Sequence, residues 1–127
     1  MLEAINETIS FIRSQTNLQP DTGIILGTGL GKIADEIQAE QSIPYEKIPH
    51  FPLSTVDGHD GKMIIGTYAG KEVIVLKGRF HFYEGYTMEE VTFPVRVLKF
   101  MGIKNLFISN AAGGMNPDFE VGDVMFI

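Results

Sequence analysis

The sequence predicts an α/β fold, a mixed central β-sheet flanked by helices, formed as one domain over residues 1–127. Three observations carry that prediction. Short β-branched runs such as GIILG at 23–27 and EVIVLK at 72–77 have the character of strands buried on both faces. Apolar residues spaced three and four apart mark amphipathic helices elsewhere. Strand runs and helical stripes also follow one another along the chain, as in a central sheet flanked by helices. A chain of 127 residues with 44% hydrophobic content can bury one core, and is too short for two.

Taken in order, Leu2, Ile5, Ile9 and Ile12 lie on one stripe and predict a helix over about 2–16, ended by Asn17 and Pro20. The strand at 23–27 runs into GTGLG and then into Leu30, Ile33, Ala34 and Ile37, a second helical stripe. Prolines at 44, 49 and 52 break any period between 41 and 57, which predicts an irregular connection with room for a short strand near Tyr45. KMIIGTYA at 62–69 and EVIVLK at 72–77 then form a hairpin turning at Gly70-Lys71. Residues 78–86, GRFHFYEGY, fit neither period.

Thr87 and Glu90 have capping-box spacing, and Met88, Val91, Val95, Leu98 and Met101 continue as a helix ending at Gly102. Pro94 lies inside that pattern, so the helix should kink there or start later. KNLFISN at 104–110 is the next strand, followed by AAGG and a polar turn through Pro117 to Glu120. VGDVMFI begins one more strand. An apolar run at that place would need neighbours on both sides, so the chain reads as a portion of something longer.

Ten basic against sixteen acidic side chains give a net charge of −6, which excludes a protein that binds nucleic acid by neutralising many phosphates. No apolar stretch approaches the roughly 20 residues of a membrane span. Glu3 and Glu7 stand where a signal peptide would be basic, and the absence of cysteine suits a cytoplasmic location. Glycine is in excess, 14 residues where roughly nine would be usual.

Those glycines cluster around chemistry. GTGLG (27–31) leads from a strand into a helix start, where backbone N–H groups can meet an anion, and Thr28 adds a hydroxyl. A tight structural turn and a nucleotide site are the alternatives, although Lys32 occupies the place of the third glycine of the dinucleotide fingerprint. GHDG (58–61) sets His59 between glycines, as a ligand or as an idle loop histidine. In GRFHFYEGY, Arg79 offers a fork for phosphate or carboxylate, His81 can share a hydrogen bond with it, and Tyr83 and Glu84 add polar tips, the alternative being a structural loop with satisfied charges. NAAGG (110–114) leaves backbone open to a ligand, or simply packs as a turn. Histidines 50, 59 and 81 share no metal-ligand spacing, so no metal site is expected. Thr28, Arg79 and Ala111 each follow a strand, and ligands of open α/β sheets collect at strand carboxyl ends.

GTGLG, TVDGHDGK, KGRFHFYEGY, VTFPVRVLKFMG and ISNAAGGMNP, in that order, resemble the N-terminal half of the trimeric purine nucleoside phosphorylase family, more than the sister methylthioadenosine phosphorylases. The resemblance implies the phosphorylase fold, cut after about half of the family's length. It implies phosphorolysis too: phosphate attacks the anomeric carbon of a purine nucleoside and gives free base and ribose 1-phosphate. By position, Thr28, His59, Arg79, Phe80, His81 and Ala111 would hold phosphate, with Arg79 and His81 catalytic, and Tyr83 would lie against the ribose. Glu84 would orient its neighbours. No metal or organic cofactor is implied, phosphate being a substrate, and the family's assembly is a homotrimer. Its purine-gripping residues lie in the other half, so the alternatives are an incompetent or complementing phosphate-binding half and, from GTGLG alone, a nucleotide-binding domain.

Overall fold

The computed structural model describes residues 1–27, 29–53 and 61–127. It contains a five-stranded mixed sheet, with β1 Thr22–Leu26, β2 Gln38–Pro44, β3 Lys62–Tyr68, β4 Lys71–Lys77 and β5 Asn105–Ile108 in the spatial order β2-β3-β4-β1-β5. β2, β3 and β4 are antiparallel neighbours. β1 lies parallel to both β4 and β5.

β4 has the character its sequence predicts. Val73 and Val75 face one side of the sheet, Ile74 and Leu76 the other, and all four are buried. On one face Ile74 and Leu76 join Ile25, Met63 and Ile65 under two α-helices, α1 (Leu2–Gln15) and α2 (Met88–Met101). Ile5, Ile9 and Ile12 of α1 and Val97 and Leu98 of α2 supply the covering layer, each fully buried side chain contributing about 1.5–3 kcal/mol over exposure. The opposite face is thinner, with Ala34 and Ile37 set over Leu26, Ile64, Val73 and Val75.

α1 begins at the second residue and ends where Thr16 turns extended. Its buried Thr8 hydroxyl lies 2.7 Å from the Pro49 carbonyl and 2.8 Å from that of Ala4, tying the proline-rich connection to the helix. α2 starts at its capping box: Thr87 Oγ1 accepts the Glu90 N–H at 3.2 Å, and the Thr87 N–H donates back to Glu90 Oε2 at 2.7 Å. Such a cap is worth about 1 kcal/mol. Donation from the Thr87 backbone, then from its hydroxyl, holds the Glu90 carboxyl below the usual range. α2 closes in a Schellman turn, with Ile103 N–H on the Leu98 carbonyl, Gly102 N–H on Lys99, and Gly102 left-handed at φ 101°.

Five expectations change. GTGLG leads not into an α-helix but into a six-residue 3₁₀ helix, Gly31–Glu36, because the chain is already extended at Ile37 for pairing with β3. The connection does hold a strand beside Tyr45, but β2 starts earlier than expected, at Gln38, and is an edge strand whose one buried residue is Ile43. The hairpin turns at Ala69-Gly70, both with positive φ, closing on the Tyr68–Lys71 pair. Pro94 neither delays nor ends α2, which begins where the capping box sets it and carries Pro94 buried within. Residues 109–127 form no strand: Val121, Val124, Met125, Phe126 and Ile127 are exposed, since strand-forming side chains without a neighbouring strand gain no backbone partners.

Candidate functional site

Parallel pairing brings three chain segments to one edge. Leu26 is in register with Lys77, and Ile25 with Ile108, so the turns that leave β1, β4 and β5 emerge side by side at strand carboxyl ends. They carry Gly27, Gly78-Arg79 and Ser109 through Ala111. Three of the sequence motifs therefore meet in space.

Arg79 is the centre of this cluster. It is half-buried, donates from Nη1 to the Ser109 carbonyl at 2.8 Å and from Nε to His81 Nε2 at 3.1 Å. Those two bonds use two of the five guanidinium donors, and the rest of the fork can serve an oxyanion. Because His81 Nε2 accepts, its proton sits on Nδ1, which donates to Glu84 Oε2 at 2.9 Å. The same carboxylate oxygen accepts the His81 N–H at 2.9 Å. Arg79, His81 and Glu84 thus form one chain of hydrogen bonds, with the His81 ring between the guanidinium and the carboxylate.

Tyr83 stacks on His81 with centroids 4.8 Å apart and is exposed, an aromatic surface beside the cluster. Phe80 turns the other way. Its ring is buried against Tyr45 and Tyr86, so what Phe80 can offer an anion is backbone. Ala111 is exposed two residues beyond Ser109. Thr28 and His59 lie outside the described residues.

Two residues that the motifs did not single out organise the cluster. Tyr45 donates its buried hydroxyl to the Gly78 carbonyl at 2.7 Å, immediately before Arg79, and its ring packs on Phe51 and Phe80. Burial holds its phenol well above the ordinary tyrosine range, so it remains a donor. Ser109 binds both Gly27 and Arg79. In the sequence it falls inside KNLFISN and ISNAAGGMNP, with nothing local to mark its role. A cleft of about 570 Å³ lined by Arg13, Asp21, Met101 and Lys104 lies at the other end of the sheet, by the start of β1, away from this chemistry. Among the described residues, no group of three or more His, Cys, Asp or Glu could hold a metal.

The profile of the phosphorylase superfamily matches residues 21–127. Purine nucleoside phosphorylase 1 of Bacillus subtilis is 51% identical over 127 residues, which are 100% of this chain and 47% of that protein. The rat purine nucleoside phosphorylase is 45% identical, covering 98% of this chain and 43% of its own length. Among solved structures, isoform 2 of the Schistosoma mansoni purine nucleoside phosphorylase, in complex with cytosine and ribose-1-phosphate, superposes with a TM-score of 0.90 at 42% identity. That match covers 95% of this chain and 42% of the other. The chain spans less than half the length of these relatives.

Proposed function

Because the chain belongs to the phosphorylase superfamily, we propose that it supplies the phosphate and ribose side of a purine nucleoside phosphorylase. The reaction is displacement at the anomeric carbon. A phosphate oxygen forms the new C–O bond, the glycosidic C–N bond breaks, and its electron pair leaves on the purine nitrogen, which takes up a proton. Ribose 1-phosphate and free purine result.

The observation that carries the proposal is Arg79, oriented by His81 and the Ser109 carbonyl at the sheet's carboxyl edge with the rest of its fork unspent in those bonds. A chain of net charge −6 gathers a phosphate dianion only where a local cation and backbone donors meet. Held there beneath the sugar, the dianion acts as nucleophile and stabilises the positive charge that develops on the ribose ring. Arg79 and His81 are assigned to catalysis. Thr28, His59, the Phe80 backbone and Ala111 complete the phosphate set, and Tyr83 takes the ribose. This chemistry asks for no metal or organic cofactor.

The proposal includes a cytoplasmic homotrimer as the working assembly. Among the described residues, no helix is long and apolar enough to cross a membrane. Inosine incubated with the corresponding full-length protein is expected to release hypoxanthine only when phosphate is present, read by ultraviolet absorbance. Release without phosphate would assign a hydrolase. A second reading is favoured by the chain's coverage of under half of its relatives: a phosphate-binding half that completes its site with another polypeptide. Phosphate binding without hypoxanthine release would select that reading, and NAD binding in the same titration would return GTGLG to a nucleotide role.

A further inference from the structure

Ser109 stands one residue beyond the end of β5 and touches two chain segments that are far apart in sequence. Its Oγ accepts the Gly27 N–H at 3.0 Å and lies 3.4 Å from the Ile25 carbonyl, to which it donates. Its N–H donates to the same Ile25 carbonyl at 3.1 Å. Its own carbonyl accepts Arg79 Nη1 at 2.8 Å. The approach is close enough that a Cβ on Gly27 would sit 2.3 Å from the Ser109 oxygen.

Parallel ladder bonds end with β1, and in the turn that follows the Leu30 N–H donates to the Gly27 carbonyl at 3.3 Å, a bond internal to the turn that does not fix it against β5. Glycines at 27, 29 and 31 leave its backbone free to pivot, and Gly29 already has φ 87°. The Ser109 hydroxyl supplies the missing constraint from one side, while its carbonyl restrains the guanidinium from the other. We propose that Ser109 is a positioning residue that sets the glycine turn after β1 against Arg79, so that both face one oxyanion. The oxyanion part rests on the phosphorolytic reading above. The geometric part does not.

Two variants separate hydroxyl chemistry from shape: Ser109→Ala removes the hydroxyl, and Ser109→Thr keeps it. Each is titrated calorimetrically with inorganic phosphate, and the Gly27 amide and Arg79 Nε–H resonances are followed by ¹⁵N NMR. Ser109→Ala is expected to weaken phosphate binding about tenfold, the scale of one hydrogen bond. Ser109→Thr should bind within about twofold of the parent, with both resonances at their parental positions, since only the hydroxyl bond was at issue. Parental affinity in Ser109→Ala, or an equal loss in Ser109→Thr, overturns the assignment. If the parent chain binds no phosphate, the phosphorolytic reading falls. The resonances then decide the positioning role, which is overturned if both stay unmoved in Ser109→Ala and upheld if they shift there and return in Ser109→Thr.

Discussion

Arg79→Ala is expected to lower phosphate affinity by about a hundredfold or more, because it deletes the charge-assisted bonds that hold an oxyanion, each worth about 1.5–3 kcal/mol. The fold should survive. Arg79 is only half-buried, and its partners, the Ser109 carbonyl and His81 Nε2, lie at the sheet's edge where water can replace it. Arg79→Lys should fall between the two, retaining a charge but not a fork that can serve Ser109, His81 and an anion together. Calorimetric titration of the three proteins with phosphate is the measurement, and equal affinity in Arg79→Ala would remove Arg79 from the site.

The largest effect on stability should come from Gly66→Ala. β2 crosses β3 so closely there that an added Cβ would lie 2.2 Å from the Gln38 carbonyl oxygen and 2.9 Å from the Ala39 Cα, both backbone atoms. Neither can rotate away. The register between these strands already shifts between Ala39 and Gln41, so β2 has spent its slack at this point. The methyl group would force β2 off the sheet, at a cost of about 3 kcal/mol. Gly113→Ala, where nothing lies within 4 Å, is the matched control and should leave the urea midpoint unchanged. Equal midpoints for the two variants would contradict the close approach.

How far the fold was legible depended on where its information resided. β4 could be read because a strand buried on both faces must be apolar throughout, and VIVL is. The α2 start could be read because Thr87 and Glu90 satisfy one another locally. β2 could not, since an edge strand with polar QAEQS carries almost no apolar alternation, and its partner β3 alone makes it a strand. The stripe after GTGLG was ambiguous for a different reason: Leu30, Ile33 and Ala34 fit one turn of 3₁₀ as well as one of α. VGDVMFI had the right residues and no neighbour. The site divides similarly. Arg79 and His81 announced themselves by residue type between glycines, whereas Ser109 and Tyr45 act through the pairing of Ile25 with Ile108 and the packing around Gly78, which no local pattern encodes.

The mixed character of the sheet also orders events in time. The β3–β4 hairpin closes over a two-residue turn, while β1 must find β4 across the whole intervening chain and β5 must then find β1. Loop closure makes such non-local pairings slow, so the hairpin leads and the parallel strands follow. Pulse-labelled hydrogen exchange should protect Ile64 and Val75, which pair across the hairpin, before Gly27. Arg79 rides on the early hairpin, but Gly27 and Ser109 reach it only after both parallel pairings are made. The proposed anion site is thus assembled only after both parallel pairings, and anion binding during refolding would report that they have formed.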